Sequence, residues 1–171
     1  NGQANRFRRL VRAIEPDILN FQEIYDHTPA ETRQRFIGWL GENTNDWYAA
    51  GNADCITLSR FPILYAEALD TNLAVLIETA PLLDRALLII NAHPPCCTND
   101  DGRQEEIDQM LALLRRVRAG EHPDIPADVA VQLTGDMNLV GFAQQLDSLI
   151  TGDIVDEDTW GPDVAPDVDG S

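Results

Sequence analysis

Hydrophobic positions along the chain fall into short blocks of two different periods. Phe7, Leu10, Val11 and Ile14 recur at helical spacing with Arg6, Arg8, Arg9 and Arg12 between them, which predicts an amphipathic opening helix ended by Pro16. The apolar run that follows, Ile18-Leu19-Asn20-Phe21, predicts a strand leading into Gln22-Glu23. Thr28-Pro29-Ala30-Glu31 is a capping box with proline at the first helical position, so a second helix should run through Phe36, Ile37 and Leu40. Residues 43–46 read as a turn. Strands are then expected at 47–50 and 55–59 around a Gly51-Asn52 hairpin signal, and at 63–69, 73–79 and 86–92. Consecutive strands of this kind imply antiparallel neighbours more than strict βαβ alternation.

After His93 the residues to Gly102 are polar and predict a loop. Ile107, Met110, Leu111, Leu114 and Val117 then form one apolar stripe, a long helix stopped by Gly120. A connection with Pro123 and Pro126 leads to the strand Val129-Ala130-Val131-Gln132-Leu133, and residues 142–150 predict a last helix. Residues 152–171 are acidic, lack an apolar period and read as a loop. Nothing repeats and no linker divides the chain, so residues 1–171 are expected to form a single domain, long enough to bury a sizeable core.

Charge changes that picture more than size does. All 12 basic residues are arginine, acidic residues number 29, and the formal net charge is −17. Such a surface repels nucleic-acid phosphates and argues against broad non-specific DNA binding, although a bound cation and a few local arginines can reverse the field inside a cleft. No apolar run reaches the length of a membrane span. Three cysteines, Cys55 and the adjacent Cys96-Cys97, give neither a disulfide framework nor a Cys-x-x-Cys motif. Buried thiols are the expectation, with a bridge from Cys55 to one of the pair as the alternative.

Three predicted strands end in chemistry-bearing residues. The first ends in Gln22-Glu23, another in Asn91-Ala92-His93, and a third in Gly135-Asp136-Met137-Asn138. Open α/β sheets place ligand sites at such strand ends. A carboxylate there is costly to bury unless it is paired or holds a cation. Glu23, Asp136 and Asn138 together offer hard oxygen ligands, which suit magnesium or manganese better than zinc. Asp136 and Asn138, two residues apart, share one side of an extended segment, so one can activate a water while the other holds it or the phosphate. Each feature has a plainer explanation: a solvent-facing glutamate, a capped structural histidine, an Asp-x-Asn turn. Their order along one chain is what favours chemistry.

These boxes, with Ser59-Arg60-Phe61-Pro62-Ile63 and the Arg103-Gln104 start of the long helix, resemble the endonuclease/exonuclease/phosphatase superfamily of metal-dependent phosphoesterases across residues 6–170. The resemblance implies an α/β fold, a four-layer α/β/β/α sandwich of two facing, mostly antiparallel sheets with the site at one end. It implies Glu23 and Asp136 as ligands of Mg2+ or Mn2+, and His93, Asp136 and Asn138 as catalytic residues. Asn91, His93 and Asn138 would hold the phosphate. Arg60 is expected to pair with a buried carboxylate. The resemblance also implies a strand before residue 1 and strands after residue 171 carrying a closing Asp–His pair, with 152–171 leading to them. On that expectation the chain is a fragment and has little activity by itself. The expected partner is a phosphoester, whether nucleic acid, nucleotide or lipid or inositol phosphate, with no obligate protein partner. The alternatives are a non-catalytic binding module on the same fold and a calcium-binding structural domain, which lacks an EF-hand-type loop.

Overall fold

The structure, a computed structural model, describes residues 2–41, 46–141 and 143–164. Helix α1 (Gly2–Ile14) and strand β1 (Ile18–Phe21) lie on either side of Pro16. Helix α2 (Pro29–Leu40) has the expected box: the Thr28 hydroxyl accepts from the Glu31 amide, and the Glu31 carboxylate accepts from the Thr28 amide. Strands β2 (Tyr48–Asn52), β3 (Cys55–Ser59), β4 (Ile63–Leu69) and β5 (Asn72–Ile77) follow. Then come a short helix α3 (Ala80–Leu83), strand β6 (Leu87–Ala92), helix α4 (Asp100–Arg118) and strand β7 (Ala130–Gly135). Helices α5 (Ala143–Thr151) and α6 (Glu157–Trp160) complete the described chain.

Two sheets result, ordered β1-β3-β2 and β4-β5-β6-β7. All pairs are antiparallel except β6–β7, whose parallel register (Leu87 with Ala130 through Ala92 with Gly135) is reached by the crossover through α4. The sheets face each other, with α1 and α2 outside the first and α4 outside the second, an α/β/β/α sandwich. Strand alternation builds its three apolar layers. Ile56 and Leu58 of β3 join Val11, Phe21, Phe36 and Ile37 beneath the first helix layer. Leu73, Val75, Ile77, Ile89 and Cys55 fill the space between the sheets. Ala74, Leu76, Leu88, Ile90 and Ala92 point the other way, onto Ile107, Met110, Leu111 and Val117 of α4. Full burial of one such side chain stabilises by about 1.5–3 kcal/mol. Among the described residues β1 and β7 are each hydrogen-bonded along one edge only, and they meet across the sandwich.

Several elements depart from expectation. The β2–β3 hairpin turns at Ala53-Asp54, because Asn52 pairs with Cys55 and Gly51 with Ile56. Gly51 is therefore a strand residue, and its lack of a side chain serves packing: a Cβ there would stand 2.6 Å from Cγ of Pro29. The 80–83 separator is helical, α4 begins at Asp100 inside the expected loop, and α6 interrupts the acidic tail. Asn99 caps α4 by accepting from the Gly102 amide, and Asp156 caps α6 by accepting from that of Thr159. Arg60 pairs with Asp17 at 3.3 Å, a half-exposed rather than buried carboxylate, and lies over the Trp47 ring. Residues 43–45 of the expected turn, Phe142, and the tail from 165 onward lie outside the described residues.

Charge is also buried outside the layers. The Glu106 carboxylate accepts from the Thr71 hydroxyl at 2.8 Å and from the Asn72 amide at 2.6 Å. Burial raises the Glu106 carboxyl above its usual range, and these hydrogen bonds offset only part of that. Asp108 is raised for the same reason, burial first, despite the amides of Asp156 and Val155 that it accepts. A raised folded-state pKa favours the protonated fold, so this stability is fully present below the ordinary carboxylate pKa and is lost as pH rises through the folded value. Denaturant unfolding should therefore show wild type gaining stability as pH falls from neutral toward the ordinary carboxylate range. Glu106→Gln, uncharged but able to bond both partners, should show a smaller gain. An equal gain in the variant would remove Glu106 as a source.

Candidate active site

Strand β6 carries its odd-numbered residues toward the first sheet and its even-numbered ones toward α4. Asn91 thus shares the inter-sheet face with Ile89. It is fully buried, accepts from the Gln22 side chain at 2.5 Å, and donates to the carbonyls of Phe21 and Ile56 and toward the Thr57 hydroxyl. These bonds tie the two sheets together where β1 ends. Two residues on, past the strand end, His93 emerges on the same side, its amide donating to the Asn72 side chain at 2.6 Å.

Glu23 follows Gln22 just beyond β1 in the left-handed region, φ 62°, with its side chain exposed. That conformation is uncommon for a glutamate. It aims the Glu23 amide at Asp54, whose Oδ2 accepts at 2.8 Å. The third segment is delivered by Gly135, which no other residue could replace in this position. At φ 142° it passes so close to β6 that a Cβ would sit 1.9 Å from the Ala92 carbonyl oxygen. Asp136 then bends the chain, its Oδ1 accepting from the Asn138 amide at 3.1 Å. Asn138, also left-handed at φ 49°, donates its side-chain amide to the Pro94 carbonyl at 2.9 Å.

One cleft of about 460 Å³ receives these segments. Its walls are Glu23, Tyr25, Ala53, Asp54, Thr71, His93, Pro94, Pro95, Cys96, Asp136 and Asn138. Of the five residues singled out in the sequence, Glu23, His93, Asp136 and Asn138 line it, whereas Asn91 lies behind it as the inter-sheet tie.

Asp54 is the residue the sequence reading missed. The shift of the hairpin turn to Ala53-Asp54 brings its carboxylate against His93, Oδ2 to Nδ1 at 2.7 Å, with both side chains largely buried. Burial by itself would raise the Asp54 carboxyl. Hydrogen bonds from the Glu23 amide, His93 and Tyr25 outweigh it and hold the group below the usual carboxylate range. An ionised acceptor at Nδ1 keeps a proton on that nitrogen and leaves Nε2 as the ring nitrogen available to a ligand. The turn residues Ala53-Asp54 adjoining a buried strand were the only signal in the sequence, and hairpin register decides whether such an aspartate faces a site.

Arg103 and Gln104 are buried in α4 and away from the cleft surface. Arg103 supports it from behind: its guanidinium donates to the Pro95 carbonyl, to Gln145 and to Asp100. His122 is buried elsewhere, accepting from the amides of Asp124 and Ile125.

Among the described residues no three His, Cys, Asp or Glu side chains form a ready-made metal cage. The cleft instead offers two solvent-reaching carboxylates, Glu23 and Asp136, beside the amide of Asn138. That sparse, hard-oxygen set fits magnesium, which keeps several waters and is held by one or two carboxylates together with substrate phosphates. Asp54, committed to His93, is outside that set.

Neither a protein-family model nor a curated protein matches the sequence. Solved structures do match. The human Nocturnin catalytic domain with bound sulfate aligns at a TM-score of 0.60 and 16% identity, covering 86% of this chain and 62% of that one. ANGEL2, a 2′,3′-cyclic phosphatase in complex with adenosine-2′,3′-vanadate, aligns at 0.59 and 18%, covering 86% and 46%. Truncated Caenorhabditis elegans TDP2 aligns at 0.55 and 15%, covering 84% and 57%. The chain shares its α/β/β/α fold with these structures. The chain spans less than two thirds of the length of each of these three.

Proposed function

We propose that this domain carries the hydrolytic site of a divalent-metal-dependent phosphoesterase, in which water attacks phosphorus. The observation that carries the reading is the cleft itself: Glu23, the Asp54–His93 pair, Asp136 and Asn138, from four separate segments, line one hollow. The phosphoesterase character of structures sharing the fold supports the same class.

Glu23 and Asp136 would hold magnesium or manganese, which when bound supplies positive charge at the phosphate and acidity for a water. His93 donates a hydrogen bond to a non-bridging phosphate oxygen and stabilises the charge that grows there in the transition state. Asp54 orients the ring through its contact with Nδ1. Asp136 positions the attacking water and accepts its proton, while Asn138, fixed by Pro94, holds the water or the phosphate. The edges of β1 and β7, unpaired among the described residues, support a further reading, that strands outside the described residues complete both sheets and add an Asp–His pair for proton transfer. Activity is accordingly assigned to the whole protein. The net charge of −17 favours a small or lipid phosphoester over duplex DNA.

The intact protein should hydrolyse an aryl phosphodiester such as bis(p-nitrophenyl) phosphate with magnesium or manganese and lose that activity in chelator. Metal-independent turnover would remove the metal from the reading. Tight phosphoester binding without turnover on any class of substrate would assign a binding module to this fold.

A further inference from the structure

The adjacent cysteines take no part in the chemistry above, yet they stand in the wall of the same cleft. Cys96 and Cys97 are joined by a disulfide, both residues are exposed, and Cys96 lines the hollow beside His93. Cys55 is different. It is fully buried between the sheets, and burial, then the Asp54 charge, push its thiol up to about 12. Thiol–disulfide chemistry under native conditions is thereby confined to the adjacent pair.

We propose that Cys96–Cys97 is a redox-modification site whose oxidised form holds the cleft wall between His93 and α4 in place. A bridge between neighbouring residues closes a small ring through their own peptide, and Cys97 sits in the left-handed region at φ 67°, unusual for a residue with a Cβ. The segment so constrained is short and tightly connected. The Pro94 carbonyl accepts from the Asn138 side chain at 2.9 Å, the Pro95 carbonyl from Arg103 at 2.5 Å, and the Cys96 carbonyl from the Asn99 amide at 3.4 Å. His93 is at one end of it and the α4 cap at the other. Opening the ring frees Cys97 to return to the right-handed or extended regions, and the displacement passes directly to the carbonyls that position Asn138 and Arg103.

The reductant is a dithiol, small or protein-borne. One of its thiolates attacks a cysteine sulfur, forming a mixed disulfide and releasing the other cysteine as thiolate. Its second thiol then attacks the mixed disulfide. The products are two cysteine thiols, which take up the two protons, and the reductant's own disulfide; two electrons pass to the protein. A disulfide such as oxidised glutathione reverses the change.

Thiol counting on the full protein comes first. Limited to the cysteines of residues 1–171, alkylation in denaturant after treatment with glutathione disulfide should label Cys55 alone, and reduction with dithiothreitol should expose Cys96 and Cys97 as well. Glutathione adducts on Cys96 or Cys97 in place of their mutual bridge would overturn the proposal. Hydrogen exchange then reads the wall. The amides of Asn99 and Arg103, bonded to the Cys96 and Asn99 carbonyls, should exchange about tenfold faster in the reduced protein, and reoxidation should restore them. Cys97→Ser should show the fast pattern whatever the redox state, and equal exchange in oxidised and reduced wild type would refute the proposal. Its effect on turnover rests on the phosphoesterase reading: reduction should lower kcat on the aryl phosphodiester about tenfold, the scale on which displaced positioning groups act. Activity indifferent to reduction would sink the link to the cleft. Absence of activity in both states would count against the phosphoesterase reading, leaving thiol counting and exchange to decide the redox site.

Discussion

Replacing His93 by alanine in the intact protein should lower kcat on an aryl phosphodiester by about 10²- to 10³-fold, the effect of removing one preorganised donor to a transition-state oxyanion. Metal affinity should change little, because His93 is bound to Asp54 and not to the two solvent-reaching carboxylates. Asp54→Asn should move in the same direction by a smaller factor. It removes the carboxylate charge facing the imidazole while leaving an amide able to accept from Nδ1. Asp54 also gives the pair its stability signature. Its depressed carboxyl contributes stability that is present above the ordinary carboxylate pKa and lost as pH falls through the lower folded value. Asp54→Asn should therefore lose stability at neutral pH and approach wild type in strong acid. A His93→Ala enzyme with wild-type kcat, measured at saturating substrate and metal, would eliminate the oxyanion role.

Asp136→Asn should abolish turnover at every concentration of magnesium or manganese, whereas Glu23→Gln should lose activity and regain part of it at high metal. The two substitutions are structurally mild for different reasons. The asparagine at 136 retains the oxygen that accepts from the Asn138 amide, so the bend after β7 survives. Glu23 is exposed, and the bond that fixes its position comes from its backbone amide. Losses of activity can then be read as chemistry, provided unfolding free energies stay within about 0.5 kcal/mol of wild type, the usual range for surface changes. A lost cation ligand weakens binding, which mass action can restore. A lost water-activating group lowers the rate from the bound state, which no excess of metal repairs. Metal rescue of Asp136→Asn would move Asp136 to a purely ligating role.

The elements were legible because they are written in two periods, whereas the sandwich was implied by the resemblance of the strand-end boxes. Alternation in β5 and β6 assigns Leu73, Val75, Ile77 and Ile89 to one face and Ala74, Leu76, Leu88 and Ile90 to the other. The stripe from Ile107 to Val117 marks the helix that covers the second face. Capping chemistry is local, so the start of α2 was readable to the residue. Where short range competes with long range, the local signal misleads. Gly51-Asn52 is a good turn dipeptide, but β3 pairs through Gly51, Pro29 of α2 packs against it, and the Asn52 side chain donates to the Asp70 and Asn72 carbonyls. Those tertiary demands pushed the turn two residues along.

That displacement separates what the chain alone determined from what the fold decided. That Glu23, His93, Asp136 and Asn138 line one cleft was foreseeable from sequence because each ends a run whose apolar pattern announces a strand, and strand ends of facing sheets gather at one end of the sandwich. The partners of those residues were not. Asp54 meets His93 across 39 positions, and Asn91 leaves the cleft to bind Gln22 and Phe21 across about 70, because sheet register, a property of the assembled sandwich, fixes which side chains coincide. The same holds for the cysteines: buried thiols, or a bridge from Cys55 to one of the pair, are what the sequence led one to expect, and the structure instead joins the exposed Cys96 and Cys97 to each other. Only the folding of β3 into the inter-sheet core took Cys55 out of reach as a partner. Local periodicity selects elements, and packing selects the contacts between them.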